Sequence, residues 1–397
     1  MSNPTIHSLL FDPIRFKGGS KIATLEALLV CQPENAKFTI VTANPESWQH
    51  SGHHNMTIVR LPTIKVLSSA QHGAAYWINQ LFYFVILLFN LCFMQKVDKL
   101  IGASGPGIDM PIYFLGKLLS KQIIQLIHGP VGNSRSIGYC LSNADHVFYL
   151  QSARPSMLTA LNTYYQAKFR NIDASSLSSW VASHSNYHVF VNGISQQNWP
   201  TRCQMVLPTI FWCASLLKWK GLDKLITAAK LIHPTHPLIA NVCFIRPKDI
   251  SLPVSQAPQN ISHFRWYEDP ECLDDIRSKS NIFISTSTNE PFGLSILEAL
   301  AAGMCVILPD DDSYWSKTLT DFQQCIKYKA EDPVSLCTAI YLLLNDRNMM
   351  EQLSQNALQV ALEYQAESRY LAIAHCIEAP CEQPSSSALN PVNAERS

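Results

Sequence analysis

The chain has 397 residues, 47% of them hydrophobic, enough to build about two to three domains and too many for a small stapled fold. Lys and Arg total 30 against 30 Asp and Glu, so there is no net charge, which excludes the chain-wide basic footprint of a nucleic-acid binder. The 12 cysteines have no paired zinc-type spacing and read as free thiols, and the N-terminus MSNPTIHSLL lacks the basic start and long apolar core of a secretory signal, so a cytoplasmic protein is expected.

The run at 6–10 predicts a strand, followed by a loop with Gly18-Gly19-Ser20, a helix over 21–30 and a strand at 37–42. His50, His53 and His54 cluster in a polar segment, as do His375, Cys376 and Cys381, and neither set has a recognisable metal-ligand spacing. Between Tyr76 and Met94 the chain reads YWINQLFYFVILLFNLCFM, its most apolar stretch. A spanning helix needs about 20 apolar residues, and Asn79, Gln80 and Asn90 interrupt this one, so spanning is not expected. Asn79 and Asn90 lie near three helical turns apart and share one face. Two readings stay open: a core helix, or peripheral docking on a bilayer, with Lys96 and Lys99 meeting anionic headgroups.

Further strands are predicted at 122–127, 146–150 and 187–191, and Asn192-Gly193 forms a turn ahead of a linker, QQNWPTR. From Ile210 the pattern repeats: strand 210–214, helix 222–232, strand 240–245, a strand within 281–288, helix 294–302, strand 304–308, and helices at 334–344 and 349–364. The alternation predicts an α/β protein of two doubly wound parallel-sheet domains facing a central cleft, with the ligand in that cleft. The expected boundaries are 1–194 for the first domain, 195–207 for a linker, 208–379 for the second domain, and 380–397 for a disordered polar tail.

The densest chemistry lies in Glu290-Pro-Phe-Gly-Leu-Ser-Ile-Leu-Glu298, between the strands at 281–288 and 304–308. Pro291 pushes Glu290 out of the helical region, Gly293 permits a tight turn, and Gly303 sits where a left-handed residue ends the helix. The amides near Phe292, Gly293 and Leu294, at a helix N-terminus, suit an anion. Glu298 also fits a capping box with Ser295, and Glu290 a solvated loop. Asp310 and Asp312 form a D-x-D that suits a hard cation, or, directly after Pro309, an acidic turn.

With its seven-residue spacer, the Glu290 to Glu298 segment resembles the E-x7-E signature of glycosyltransferase family 4 (group 1), retaining enzymes of the GT-B fold. Lys220-Gly221-Leu222-Asp223 resembles that family's K-G-hydrophobic-D segment, Asn192-Gly193 its interdomain turn, His128-Gly129 the strand end beside the donor sugar, and Gly18-Gly19 its N-domain loop. Ser215 stands where the family usually has an arginine, and a hydroxyl cannot give a phosphate the paired hydrogen bonds of a guanidinium. The loop after the strand at 240–245 departs as well, and the family's base-binding loop corresponds to 263–267 (HFRWY), where Phe264 and Trp266 read equally as core.

The resemblance implies a metal- and cofactor-independent transfer of a hexose, with retention, from a nucleoside-diphosphate sugar. The implied acceptor is a hydroxyl of a glycan or lipid-linked intermediate of bacterial surface polysaccharide, at the cytoplasmic face of the inner membrane. It assigns catalysis to His128, Lys220 and Glu290, and donor binding to Gly18, Gly19, Ser215, Lys220, Phe292, Gly293, Leu294 and Glu298. Paired glycosidase-like carboxylates would need a separation of about 5 Å, which a loop and a rising helix do not give. The alternatives are a sugar-nucleotide epimerase or phosphorylase of the same fold, or a noncatalytic sugar-nucleotide-binding subunit.

Overall fold

The computed structural model describes residues 5–48, 55–64, 67, 70, 72–94, 96–168, 174–232, 238–247 and 252–381. The chain divides into two units, Met1–Val191 with Arg369–Ser397, and Asn192–Ser368.

The first unit holds a parallel sheet of β1 (Ile6–Asp12), β2 (Ala36–Thr42), β3 (Met56–Arg60), β4 (Lys99–Gly102), β5 (Gln122–Ile127), β6 (His146–Leu150) and β7 (Tyr187–Phe190), in the order β3-β2-β1-β4-β5-β6-β7. The second holds β8 (Ile210–Ser215), β9 (Ala240–Ile245), β10 (Phe264–Glu268), β11 (Ile282–Ile284), β12 (Cys305–Asp310) and β13 (Ile326–Lys329), in the order β10-β9-β8-β11-β12-β13, again all parallel. Counted from its own first strand, each sheet runs 3-2-1-4-5-6, the doubly wound order, with a seventh strand added at the end of the first, so the expected fold class holds. Both sheets bury near-continuous Leu, Ile, Val and Phe, as strands covered on both faces require.

The division differs from the expected one at both boundaries. Residues after Asn192 are bound into the second unit and form no free linker: Ile194 N–H donates to Tyr364 O at 2.9 Å, Cys203 N–H to Ala302 O at 2.8 Å and Gln204 N–H to Ser278 O at 2.8 Å. Gly193 is required there, because a Cβ would come within 2.8 Å of the Ala366 backbone. The second unit ends at Ser368, short of 379, since helix Leu371–Glu378 buries Ile373 and Ile377 in the first unit. Lys99 Nζ donates to Cys376 O at 2.6 Å, and Gln32 N–H to Glu378 Oε1 at 2.5 Å.

The apolar stretch forms helix Gly73–Phe93. Tyr76, Asn79, Gln80, Tyr83 and Leu87 are buried, while Trp77, Ile78, Leu81, Val85, Phe89 and Phe93 are exposed, the last by 77%. The helix therefore packs one face on the first unit's core through Tyr83 and Leu87, with Phe82, Phe84 and Ile86 against it, and leaves the other face exposed. Lys99 is buried and hydrogen-bonded, so it offers no headgroup contact, whereas the Lys96 side chain is 84% exposed. His50, His53 and His54 lie outside the described residues, as does the tail beyond Cys381. All 12 cysteines are free.

Candidate functional site

In the second unit the strand order reverses between β8 and β11, and loops leaving adjacent strands at such a switch point diverge into a crevice. The loop after β8 ends in the turn Lys218–Lys220 and Gly221, and the loop after β11 carries Glu290. Gly221 has φ 74°, and a Cβ there would collide with the Thr286 carbonyl oxygen, so glycine lets the two loops close. Thr286 joins them: its hydroxyl donates to Lys220 O at 2.8 Å and accepts from Trp212 Nε1 at 2.9 Å. Thr288 N–H adds a bond to Trp219 O at 2.9 Å.

These loops bring Lys220 and Glu290 together, Nζ to Oε2 at 2.5 Å, with side chains only 18% and 13% exposed. The same ammonium lies 4.1 Å from the Trp219 ring centroid, an electrostatically favourable seat. Lys224 Nζ donates to Thr288 Oγ1 at 2.8 Å and pairs with Glu331. Lys218 pairs with Asp223 at 2.9 Å at the surface. Ser215 ends β8, half-buried and opposite Ile245 in the register.

Helix Leu294–Ala301 starts behind Gly293, whose φ of 85° turns the chain, and stops before Gly303 at φ 73°. No side chain caps its start, and among the described residues the N–H groups of Leu294 and Ser295 have no acceptor at the positive helix end. The Phe292 ring is buried against Tyr314 at 4.9 Å and Trp315 at 5.3 Å, and Trp315 Nε1 donates to Gly293 O at 3.2 Å, which anchors the loop.

The capping-box reading of Glu298 fails. Its Oε2 accepts from Arg277 at 2.6 Å, and Arg277, 7% exposed, also donates to Asp274 at 2.8 Å. Burial works against the guanidinium charge, yet Glu298 leads the groups that hold its pKa above the usual value. Glu290 and Glu298 thus have different cationic partners, which separates their roles. Of the D-x-D carboxylates, Asp310 accepts from Ser316 at 3.0 Å and Asp312, exposed, lies 3.7 Å from Lys317, while Asp311 between them accepts from Asn289 N–H and Ser313 N–H, each at 3.1 Å. Among the described residues no group of His, Cys, Asp and Glu is placed to hold a metal ion. Phe264 joins the hydrophobic core and Trp266 packs against it, so that part of the base-loop expectation becomes strand β10.

In the first unit Gly18 caps helix Gly19–Leu29 with extended backbone. A buried pair that sequence reasoning missed fixes this loop at both ends: Asp12, at the end of β1, holds Lys21 at 2.8 Å, Thr42 at 2.7 Å and Trp48 at 2.9 Å, while Lys21 Nζ donates to Ile14 O at 2.7 Å. Burial lowers the Lys21 pKa, and Asp12 opposes that.

His128 follows β5, and its tautomer can be derived. Thr24 Oγ1 donates to Ser20 O at 2.8 Å, so at 2.9 Å from His128 Nε2 it must accept, which puts the ring proton on Nε2. Nδ1 is left as a buried acceptor with no partner among the described residues. Burial lowers the imidazole pKa to about 4, so the ring is neutral at physiological pH.

Residues 204–360 match the model of the family described as glycosyl transferases group 1, which bears out the resemblance over that stretch. No curated protein matches the chain in sequence. Among solved structures, the chain is similar to Anabaena Alr3699/HepE in complex with UDP and glucose, with a TM-score of 0.68 and 13% identity over 94% of this chain and 99% of that one. It is similar also to sucrose-phosphate synthase from Thermosynechococcus elongatus, with a TM-score of 0.63 and 15% identity over 93% and 98%. A third is WaaG, a glycosyltransferase involved in lipopolysaccharide biosynthesis, with a TM-score of 0.60 and 11% identity over 94% and 99%. The shared architecture is GT-B.

Proposed function

We propose that this chain is a retaining, metal-independent glycosyltransferase that moves a hexose from a nucleoside-diphosphate sugar to a hydroxyl of a glycan or lipid-linked acceptor in bacterial surface polysaccharide synthesis. The observation that carries the reading is the Lys220–Glu290 pair set at a switch point beside the open amides of Leu294 and Ser295. Breaking the bond from the anomeric carbon to the diphosphate builds negative charge on the leaving group and positive charge on the sugar ring. Lys220 and the helix amides meet the former, and one such preorganised donor is worth roughly 10² to 10³ in rate. Glu290 accepts sugar hydroxyls once the diphosphate has taken over Lys220, and Glu298, oriented by Arg277, accepts ribose hydroxyls. Ser215 contributes only a hydroxyl to the phosphate. His128, at the carboxyl end of β5, positions the donor sugar, and Gly18 and Gly19 let the backbone approach the phosphate and acceptor. Retention rests on front-face transfer, in which the leaving phosphate takes the acceptor proton, since the two glutamates are bound to separate cations.

The same reading places the enzyme at the cytoplasmic face of the inner membrane. Trp77, Leu81, Val85, Phe89 and Phe93 follow one another at four-residue spacing, an exposed apolar ridge that would rest in the headgroup region while Asn79 and Gln80 face inward. Liposome flotation with anionic lipid at low salt should recover the protein with the vesicles, and a Leu81→Glu, Phe89→Glu variant in the soluble fraction. Wild-type protein that stays soluble refutes membrane docking.

For the reaction itself, a calorimetric screen of nucleoside diphosphates and their sugars should give selective binding, and turnover should require an acceptor. Absence of binding to all of them removes the transferase reading. Donor conversion without acceptor would mark an epimerase instead, and binding without turnover across an acceptor panel would mark a noncatalytic subunit.

A further inference from the structure

The loop that carries Glu290 has left the sheet before it reaches the crevice, since β11 ends at Ile284. Two residues with unusual backbone lie on the contacts that hold it. Asn289, next to Glu290, has φ 51°, and Glu331, in the loop after β13, has φ 64°. Such left-handed conformations cost a residue with a side chain free energy that glycine does not lose. The Asn289 N–H donates to Asp311 Oδ2 at 3.1 Å, which ties the turn before Glu290 to the loop after β12.

Glu331 does not serve its own loop. The helix that follows, Pro333–Asn345, is capped by Asp332, whose carboxylate accepts from Val334 N–H at 2.9 Å and Ser335 N–H at 3.2 Å. The Glu331 carboxylate instead crosses to the β11 loop, where Oε1 accepts from the Thr288 hydroxyl at 2.8 Å and from Lys224 Nζ at 2.5 Å. Lys224 also donates to Thr288 Oγ1 at 2.8 Å and to Thr286 O at 3.2 Å, so all three of its ammonium hydrogens are engaged and none is left for a phosphate. The hydrogen bonds from Lys224 and Thr288 hold the Glu331 carboxyl below its ordinary pKa, which keeps this strut charged at neutral pH.

The strut matters most once a donor is bound. In the free protein Lys220 fixes Glu290 at 2.5 Å. A diphosphate that engages Lys220 releases that tie, and the Thr288 contacts, two residues before Glu290, remain. Glycine would suit the backbone at position 331 better, and what glycine lacks is the carboxylate that reaches the other loop.

We infer that Glu331 is a positioning residue for the proposed transfer, acting through Lys224 and Thr288 to hold Glu290 on the donor sugar while Lys220 meets the diphosphate. The inference rests on the donor reading of Lys220 and Glu290.

The test compares, by calorimetry on the full chain, a nucleoside diphosphate with its hexose conjugate. The pair is the one bound from a panel of UDP, GDP, ADP, CDP and dTDP and their sugars. Glu331→Gly should weaken the sugar nucleotide about tenfold, the worth of one hydrogen bond to a charged group, and leave the bare diphosphate within about twofold. Its melting temperature should hold, because relief of the left-handed conformation offsets the lost surface pair. Glu331→Gln keeps an acceptor for Thr288 and Lys224 and should preserve the wild-type ratio of the two affinities within about threefold. Thr288→Val, which removes only the hydroxyl, should reproduce the Glu331→Gly loss. In a Glu290→Ala chain Glu331→Gly should cost the sugar nucleotide nothing further, because the group it positions is gone. The inference is overturned by an unchanged ratio in Glu331→Gly and Thr288→Val, or by the same tenfold loss with Glu290 already replaced. Equal losses for the diphosphate and its sugar, with a lowered melting temperature, would make Glu331 structural and overturn it as well. Wild-type protein that binds none of the panel is a separate failure, which removes the donor reading and this inference with it.

Discussion

Replacing Glu298 by glutamine separates a ribose-binding carboxylate from a structural one. The substitution keeps size and one acceptor but removes the charge that faces Arg277 at 2.6 Å. A hydrogen bond to a charged group contributes about 1.5–3 kcal/mol and a neutral one about 0.5–1.5, so the pair should lose about 1–2 kcal/mol. Asp274 remains on the guanidinium at 2.8 Å, which keeps the loss below that of a fully orphaned buried charge. The melting temperature should fall by about 2–8 °C, at roughly 2–4 °C per kcal/mol for a unit of this size. If two ribose hydroxyls also donate to the carboxylate, each forfeits about 1 kcal/mol, and calorimetric affinity for the cognate nucleoside diphosphate drops about 30-fold. Arg277→Lys is the companion measurement, since it disturbs the same pair without touching a ribose acceptor. Glu298→Gln with a lowered melting temperature and unchanged nucleotide affinity would refute the assignment, as would equal affinity losses in the two variants.

Lys220→Ala should lower turnover by at least about 10², because it removes the cation at the leaving phosphate; a loss under tenfold would shift that role to the helix amides. Glu290→Gln should cut turnover yet tighten binding of the bare nucleoside diphosphate by several-fold, because Lys220 no longer has to leave a carboxylate 2.5 Å away; weaker binding would count against the exchange of partners. Ser215→Arg should raise nucleoside-diphosphate affinity, and an unchanged value in a folded variant would mean that position 215 does not face the phosphate. Asp109 supplies a pH dependence: burial pushes its carboxyl up to about 8, against the hydrogen bonds from Gln125, Gly105 and Ser104. The folded state therefore favours the protonated acid, so the contribution is fully present below the unfolded pKa of about 3.9 and is lost as pH rises towards 8, with a limiting slope of about 1.4 kcal/mol per pH unit. Asp109→Asn should flatten thermal stability over that window, and an identical slope in both proteins would refute the shift.

Strands with continuous apolar runs were legible in the sequence. The runs at 37–42, 122–127 and 240–245 appear within a residue as β2, β5 and β9, because burial on both faces leaves a composition that no turn shares. The strands that escaped are those whose burial comes from elsewhere. β4 is central but only four residues long, and it opens on Lys99, whose charge is accommodated by the Cys376 carbonyl 277 residues away. β3, β10 and β13 lie at sheet edges, with alternating or charged residues that read as loop. The strand expected within 281–288 stops at Ile284, since the chain beyond it leaves the sheet to join the Lys220 loop through Thr286 and Thr288.

At the site the same contrast holds between local and distant causes. Gly293 and Gly303 could be read as left-handed turns because the requirement is set by their immediate neighbours, and both have positive φ. Glu298 could not be told from a cap, because what decides it is Arg277, 21 residues upstream on another helix, and no local pattern encodes that pairing. Helix Gly73–Phe93 shows the limit from the other side. Its composition fits a core helix and a docked one equally, and only the inward placement of Asn79 and Gln80 distinguishes them. Hydrophobic periodicity reports which face is apolar, not which face the fold covers, and this helix buries its amides while exposing Phe89 and Phe93.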